Sequence, residues 1–529
     1  MNRQAPLVTF VVSLATLLAT AAAWAVEDGK PASGPDKSPT ADSSPLDRYK
    51  AVIKSQDKTV FAKAALDLRR WIQRHDPHRP VFHTMGPTDF TFDVNGPIHH
   101  DGKYHLFYLN IVKPERCRRG HLVSTDLVHW TDWPVAMWPD TPWDREAVFS
   151  GNLVIDDKGV PTFIYTGNSS HKTAKGVLAR SSDGMLTWKK KLVMDKPPYP
   201  GSPVHWDGQI WKDGDTWYQL CGGTYSGGGA AVLWSSPDLE HWTYRNRIYT
   251  TGKYGRFWEL PYLLPFDKKH VLIIGVHPVR YWIGTYDKKS LVFKPDKEEA
   301  DILDVSRHYY APNPHMVDEK GPGGSRRRLM FGWVRGGKSP TKDVPYWDGN
   351  HSIPRVLTLE DNKLVQKPIP ELKTLRHQHV QVKDRLIESE TPRLLKGFTG
   401  DALEIVASFD PDRATAKRFG VKLRMSKDGK EQTIVYYEPK TGRFGVGGSV
   451  VDGEISDKAD LPVGENVTLH IFLDRSVVEV FAAGRVITKR TYCNPASQGL
   501  DVFSDKGNVS LEVLDVWRMK SIWNEDRDQ

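Results

Sequence analysis

The sequence repeats one arrangement of short strands five times, at intervals of roughly 50–60 residues. Each unit opens with a strand that has a polar residue near its start, and an aromatic and aliphatic strand follows it. Five units of three or four antiparallel strands predict a five-bladed β-propeller. A β-sandwich would not repeat at this interval, and a parallel α/β fold would need helices between its strands. The opening strands are FDVNGPI (92–98), FSGNLVI (149–155), WDGQIW (206–211), WELPYLL (258–264) and YAPNPHMV (310–317).

The propeller is predicted to occupy residues 76–376, between two segments of a different kind. Residues 47–75 carry an apolar pattern of helical spacing without Pro or Gly and predict a helical hairpin or one long helix. Residues 377–525 contain alternating strands separated by turn signals and predict a C-terminal antiparallel β-sandwich. The predicted fold class is therefore all-β, with a short N-terminal helical segment. Asp474 and Glu479 are the most conspicuous acids of the sandwich, and we expect strand-end or surface positions for both.

Residues 1–25 have the composition of a secretory signal peptide. A short polar start precedes an apolar run over about residues 6–22, and AWA (23–25) fits a small-x-small cleavage site. Residues 26–46 are rich in Pro, Ser and Gly and predict a disordered linker. The expected location is therefore secreted or periplasmic, with an uncleaved membrane anchor as the alternative. No other apolar stretch of the sequence approaches membrane length.

The charge and the cysteines argue against several classes of protein. The chain has 73 Lys+Arg and 65 Asp+Glu, a formal net charge of +8, but its basic residues are scattered. Its densest runs, at 116–119 and 326–328, contain only three arginines each and predict a solvated surface rather than a nucleic-acid site. Cys117, Cys221 and Cys493 have neither disulfide-framework nor zinc-site spacing, so we expect structural thiols. We predict no metal site.

Three acids open inner strands of different predicted blades: Asp93, Asp207 and Glu259. Each lies among aromatic residues with few charges nearby, and the blades of a propeller converge on one axis. Two carboxylates that face each other across a sugar are the minimum for cleavage of a glycosidic bond. The alternative from residue types alone is that these acids cap turns, as we expect for Asp126 and Asp183.

At these positions the sequence resembles glycoside hydrolase family 32, which includes invertases, levanases and inulinases. The resemblance implies the propeller and sandwich described above, a retaining mechanism and no cofactor. It implies that Asp93 is the nucleophile, Asp207 the transition-state stabiliser and Glu259 the acid/base. The segments that carry it are FDVNG (92–96), GHLVSTDLVHW (120–130), FSG (149–151), WDG (206–208), WELP (258–261), YAPN (310–313), FGWVR (331–335), SIPRVLTL (352–359) and FLDRSVVEVFAAG (472–484).

Several positions depart from the family pattern in the expected sugar pocket. Phe92 stands where the family has Asn, Val94 where it has Pro, Trp206 where it has Arg, and Leu109 where it has Gln. Most of these changes remove hydrogen-bond donors, so they predict an altered choice of sugar ring. The residues expected to bind substrate are Asn95, Phe149, Ser150, Trp206, Trp258 and Trp347.

The sequence therefore predicts a secreted retaining hydrolase that cleaves β-fructofuranosidic bonds in an oligo- or polysaccharide. We expect no nucleic-acid partner, and no membrane contact beyond the signal peptide. Two alternatives remain open. One is a family 43-like arabinofuranosidase or xylosidase on the same propeller, which the missing Arg before Asp207 favours. The other is a non-hydrolytic glycan-binding protein with a degenerate site.

Overall fold

The structure is a computed structural model that describes residues 43–111, 116–167, 174–338, 340–391, 393–459, 461 and 464–523. The predicted signal peptide and residues 26–42 of the predicted linker lie outside the described residues. Within the described ranges, no helix combines the length and the apolar character that a membrane crossing requires.

From residue 43 onward, where the description of the structure begins, two helices precede the propeller, α1 (Pro45–Val52) and α2 (Lys58–His75). The Ser44 side chain accepts a hydrogen bond from the Asp47 N–H, and Pro45 fits the first turn because that turn needs no N–H there. The Asp57 side chain caps α2 in the same way, at 2.9 Å from the Thr59 nitrogen. The apolar face of α2 then packs against the propeller. Its buried contacts include Phe61, Leu68, Ile72, Met85, Val135 and Trp347.

Five antiparallel sheets follow, as the repeat predicts. Blade I contains β1 (Asp89–His100), β2 (Lys103–Ile111), β3 (Cys117–Ser124) and β4 (Thr131–Met137). Blade II contains β5 (Val148–Ile155), β6 (Pro161–Gly167), β7 (Lys175–Arg180) and β8 (Lys189–Met194). Blade III contains β9 (Gln209–Asp213), β10 (Thr216–Tyr225), β11 (Gly228–Ser236) and β12 (Thr243–Thr251). Blade IV contains β13 (Glu259–Phe266), β14 (Lys269–Gly275), β15 (Val279–Asp287) and β16 (Val292–Pro295), with β17 (Asp301–Asp304) beside β15.

Blade V closes the ring. It contains β18 (Tyr309–Asn313), β19 (Val317–Asp318), β20 (Arg327–Lys338), β21 (Trp347–His351), β22 (Arg355–Glu360) and β23 (Lys363–Pro368). The innermost strands β1, β5, β9, β13 and β18 contact one another in a closed cycle. Strand β21 pairs with β20 and also, in parallel, with β1, where Asp89 faces Trp347. The five-bladed propeller is confirmed, and its last blade is hydrogen-bonded to its first.

The C-terminal domain is the predicted sandwich. One sheet contains β24 (Arg376–Glu388), β25 (Ala402–Asp410), β30 (Val467–Asp474), β31 (Val477–Ala482), β32 (Arg485–Arg490) and β34 (Asn508–Met519). The other contains β26 (Arg418–Met425), β27 (Thr433–Glu438), β28 (Arg443–Gly448), β29 (Ile455–Lys458) and β33 (Gly499–Asp505). The two apolar faces bury a shared core that includes Leu403, Phe419, Leu469 and Leu511. Short 3-10 helices at Pro322–Gly324 and Pro370–Leu375 complete the fold.

Asp474 and Glu479 join the two domains. Both side chains are fully buried, so the expected surface positions are wrong, although Asp474 does end β30 as expected while Glu479 lies inside β31. Each ring nitrogen of His83 contacts one of them, Nδ1 at 2.8 Å from Asp474 and Nε2 at 3.2 Å from Glu479. Burial opposes ionisation of His83, but these hydrogen bonds and charges raise its pKa above the usual value. The sequence pattern could not show that the propeller covers these two acids of the sandwich.

Backbone and arginine donors satisfy the remaining oxygens at this junction. Asp474 accepts hydrogen bonds from the backbone of Val81 and Phe82, each at 2.8 Å. Glu479 accepts one from the Ile353 N–H at 2.8 Å and one from the Arg355 guanidinium at 2.6 Å. A fully partnered buried carboxylate is tolerable, whereas partners left behind by its removal are costly.

Arg118 and Arg119 contradict the expected solvated basic surface, because both are buried. The Arg119 guanidinium lies 4.7 Å from the centre of the Phe163 ring and donates to the Phe149 carbonyl at 2.6 Å. The cysteines are buried free thiols.

We predict that Asp474→Ala destabilises the protein by about 3–5 kcal/mol, because it leaves His83 and three backbone N–H groups without their buried acceptor. Asp428→Ala, on an exposed turn of the sandwich, is the control and should change stability little. Urea or thermal unfolding measures both. The folded fraction of Asp474→Ala should keep its activity. A folded variant without activity would instead place Asp474 in the chemistry.

Candidate active site

The inner strands are irregular at the positions of the candidate residues. Pairing between β1 and β2 shifts register between Thr91 and Val94, next to Asp93. A β-bulge places an extra residue in one strand and re-aims its side chains. The other inner-strand shifts lie between Val148 and Gly151, between Glu259 and Tyr262, and between Tyr310 and Asn313. The inner strands of blades I, II, IV and V therefore depart from regular pairing near the candidate residues.

Left-handed backbone occurs at three positions beside the site, two within inner strands and one just before β9. The φ angles are 51° at Asp207, 48° at Leu260 and 47° at Ala311. Residues other than glycine occupy this region at a cost of about 1–3 kcal/mol when the fold enforces it. The first of these residues is itself a candidate catalytic acid.

The three acids from blades I, III and IV lie together. Ser150 Oγ donates to Asp93 Oδ2 at 2.8 Å and is also a hydrogen-bond partner of Asp207. Asp207 Oδ2 accepts a hydrogen bond from the Leu260 N–H at 3.3 Å, immediately after Glu259 in the chain. Asp207 is buried, while the other two acids are partly accessible to solvent. The three acids therefore lie close together, as the sequence predicts.

Burial moves the pKa values of all three acids upward. It raises the pKa of Asp93 to about 6, although the hydrogen bond from Ser150 lowers it. Burial raises the pKa of Glu259 to about 7, partly offset by its hydrogen bond from Tyr310. Burial and the charges of its two neighbours raise the pKa of Asp207 well above the usual value. Acids whose pKa values separate in this way can serve as an ionised nucleophile and a protonated acid.

Neutral side chains surround Glu259. The Tyr310 hydroxyl donates to Glu259 Oε2 at 2.5 Å, and the nearby Trp206 side chain lowers the pKa of the acid. His277 stacks on Tyr310 with ring centres 4.2 Å apart. The acid is therefore held in orientation from blade V.

Four of the six expected substrate-binding residues are near the acids. Ser150 contacts Asp93 directly. Phe149 and Trp206 are 7% and 4% exposed, and their ring centres lie 6.2 Å apart. Asn95 is buried and donates to the Asp93 carbonyl at 2.7 Å, so it shapes the bulge from behind the site.

Trp258 and Trp347 are not at the site, which corrects their assignment as substrate-binding residues. Both indoles are 0% exposed. Trp258 donates to the Tyr254 carbonyl at 2.9 Å and packs within blade IV. Neighbouring residues in an extended chain point to opposite faces, so Trp258 points away from the site when Glu259 points toward it. Trp347 donates to Asp76 at 2.7 Å and packs against the N-terminal helices.

Asn152 is a central residue that sequence reasoning missed. This buried amide of β5 has its Oδ1 3.3 Å from the Gly96 nitrogen and 3.1 Å from Asn313 Nδ2. Its Nδ2 donates to the Tyr262 hydroxyl at 3.1 Å and to the Gly208 carbonyl. One side chain of blade II thus reaches all four other blades. Its position three residues after Phe149 in an inner strand was the available signal.

Two further observations concern other chemistry. Among the residues that the structure describes, no group of three or more His, Cys, Asp or Glu is arranged to hold a metal ion. Asp126 accepts hydrogen bonds from the Val128 and His129 N–H groups, and Asp183 accepts from Leu186 and Thr187, so these acids cap turns as expected.

Both domains have relatives among known proteins. Residues 83–368 match the Glycosyl hydrolases family 32 N-terminal domain, and residues 371–518 match the Glycosyl hydrolases family 32 C terminal domain. The chain is 29% identical to a levanase of Bacillus subtilis, covering 85% of this chain and 71% of that protein. It is 30% identical to a sucrose-6-phosphate hydrolase of Zymomonas mobilis, covering 82% and 88%. Its fold is similar to that of fructan 1-exohydrolase IIa from Cichorium intybus in complex with 1-kestose, with a TM-score of 0.74, 24% identity, and coverage of 84% and 98%.

We predict that Asp207→Asn stabilises the protein at about pH 8 and not at about pH 4. A carboxyl whose folded pKa is raised is favoured in its neutral form. Its ionisation therefore destabilises the folded protein as pH rises above the pKa of the unfolded state. The variant should melt a few degrees above wild type at the higher pH.

Asp238→Asn is the control with the opposite sign. Partial burial raises the pKa of Asp238, but hydrogen bonds from His241 lower it by more and hold it well below its usual range. This variant should lower stability at the higher pH. Thermal melts at both pH values measure the two effects, and equal shifts for the two variants would contradict the placement of Asp207.

Proposed function

As a member of glycoside hydrolase family 32, this chain is a glycoside hydrolase acting on fructosides, and we propose that it cleaves β-fructofuranosidic bonds with retention at Asp93, Asp207 and Glu259. The observation that carries the proposal is that the three carboxylates lie together, Asp93 and Asp207 beside Ser150 and Glu259 next to them, with their pKa values raised to different extents. Membership of this family decides against the family 43-like and non-hydrolytic alternatives.

The proposed reaction has two displacements. The ionised Asp93 attacks the anomeric carbon while Glu259 gives its proton to the leaving oxygen, which forms a fructosyl ester and releases the rest of the substrate. Glu259, now a carboxylate, then removes a proton from water, and the resulting hydroxide equivalent displaces Asp93. Asp207 binds ring hydroxyls, and its contribution is greatest where the ring flattens in the transition state.

The surroundings suit these roles. At a pH between about 6 and about 7, Asp93 is largely ionised and Glu259 largely protonated. The Tyr310 hydroxyl keeps Glu259 in one orientation, so its proton is directed rather than free to rotate. The positive charge of Arg335 lowers the pKa of Asp93 and favours its ionised form.

We propose a fructan or another longer fructoside as the preferred substrate, rather than sucrose. The departures from the family pattern support this choice. The Phe92 ring packs on Trp333 with ring centres 4.9 Å apart, and Trp206 lies between Phe149 and Phe257. Apolar rings thus occupy positions where the resemblance implies donors to sugar hydroxyls.

The proposed location is outside the cytoplasm, either secreted or periplasmic. The composition of residues 1–25 supports it, with removal after Ala25.

We predict a bell-shaped dependence of kcat/KM on pH, with limbs near pH 6 and pH 7. Below the first limb Asp93 gains a proton and loses its nucleophilicity. Above the second, Glu259 loses the proton that the leaving oxygen needs. Glu259→Gln should lose the upper limb when an aryl fructoside with a good leaving group is the substrate. A constant rate from about pH 5 to about pH 9 would contradict both roles.

We predict weak turnover of sucrose relative to a fructan. Each lost hydrogen bond to a sugar hydroxyl is worth about 0.5–1.5 kcal/mol, so two or three losses weaken an ordinary terminal fructose by about ten- to a thousand-fold. Trp206→Arg should raise the ratio of kcat/KM for sucrose to that for fructan. Trp206→Phe is the control, because it keeps an aromatic ring at this position without restoring a donor to sugar, and should leave the ratio unchanged. Efficient sucrose cleavage by wild type would show that other groups replace the missing donors.

A further inference from the structure

Arg335 is the cation that faces the candidate site. Its charge lowers the pKa of both Asp93 and Glu259. Its guanidinium carbon lies 5.6 Å from the centre of the Tyr310 ring and 5.1 Å from that of Trp333. The position of this side chain therefore sets part of the electrostatic environment of both acids. The titratable and charged groups that face it are Asp93, Glu259, Asp348, Tyr310, His277 and His308.

Pairing with β21 does not hold the backbone of Arg335 in the ordinary way, although on its other side the Arg335 N–H donates to the His308 carbonyl at 2.7 Å. Strand β20 pairs with β21 at Val334 and Asn350, and the register then shifts before pairing resumes at Lys338. Gly336, inside this irregular stretch, has a φ of 69°. Backbone carbonyls in a buried irregular stretch need partners from elsewhere.

A side chain of the sandwich supplies these partners. Arg490, the last residue of β32, donates from Nη2 to the Val334 carbonyl at 2.7 Å and from Nε to the Arg335 carbonyl at 3.1 Å. Its Nη2 also reaches Asn350 Oδ1 at 2.5 Å. The guanidinium is fully buried and so holds β20 and β21 together where their own pairing lapses.

Gly337 makes room for this contact. A Cβ atom at position 337 would lie 2.3 Å from Arg490 Cζ, well inside van der Waals distance. The glycine therefore admits the guanidinium to the backbone that carries Arg335, and any larger residue would displace it.

We propose that Arg490 is a positioning residue for Arg335, through which the second domain sets the charge environment of the catalytic acids. Its catalytic consequence rests on the function proposed above. The contact differs from the junction at Asp474 and Glu479, because it ends on the strand that carries a side chain of the site.

Arg490→Met and Gly337→Ala test the proposal from opposite sides of the contact. The first removes the donors, and the second keeps them but displaces them. Both should lower kcat/KM about ten-fold and move the lower limb of its pH profile upward, because a displaced Arg335 no longer favours ionised Asp93. Combining the two changes should add little to either, because both break one contact.

Arg424→Met is the matched control. Arg424 is also buried in the sandwich, but its Nη2 donates to the Cys493 and Asn494 carbonyls rather than to blade V. It should cost stability while leaving the pH profile of the folded enzyme unchanged.

Amide hydrogen exchange of residues 331–338 without substrate separates this inference from the proposed function. Faster exchange in Arg490→Met and Gly337→Ala, but not in Arg424→Met, supports positioning even if wild type cleaves no fructoside. If Arg490→Met does not fold, Gly337→Ala decides the question. An unchanged lower limb with unchanged exchange, or the same changes in Arg424→Met, would overturn the proposal.

Discussion

The Asn152 amide at the propeller axis is the contact on which the arrangement of the candidate site depends. The inner strands must leave their regular ladder to aim Asp93, Ser150 and Glu259 at one point, and each departure leaves backbone groups without strand partners. Asn152 supplies partners to groups of the other four blades at once. Asn95 likewise donates to the Asp93 carbonyl and accepts a hydrogen bond from the Gly151 N–H. Two amide side chains thus support the strands that carry the acids, and amides can donate and accept hydrogen bonds without adding charge.

The neutrality of these two amides matters because the three acids already repel one another. Burial and mutual charge raise all three pKa values, so the fold concentrates an unfavourable arrangement in one place. Stability must come from elsewhere, and the junction between the domains supplies part of it. There His83, Arg355, Asp474 and Glu479 form buried pairs in which opposite charges face each other. Like charges meet where chemistry is proposed, and opposite charges meet where the domains must stay docked.

The sequence predicted the blades and the three acids because both follow from local pattern. A strand repeat at a constant interval fixes the number of blades, and inner strands with polar starts fix where acids converge. Orientation within an irregular strand does not follow from pattern. Trp258 adjoins Glu259 and was expected to share its pocket, but successive side chains point to opposite faces. Trp347, Asp474 and Arg119 were misassigned for a related reason: a sequence shows that a residue is adjacent to a motif, and only the assembled layers show what covers it.

The parallel pairing of β1 with β21 has a consequence for how the chain reaches its native state. Blade I contains the first strands of the propeller, yet β1 gains this neighbour only when residues near Trp347 are present. The contact between His83 and Asp474 joins two residues that are 391 positions apart in the chain. Contacts of such long range must bear the entropy of closing large loops, which slows folding. Strand β1 therefore lacks this neighbour until residues 347–348 have been made, and the junction between the domains forms only once residue 474 has been made, so the site is completed late rather than blade by blade.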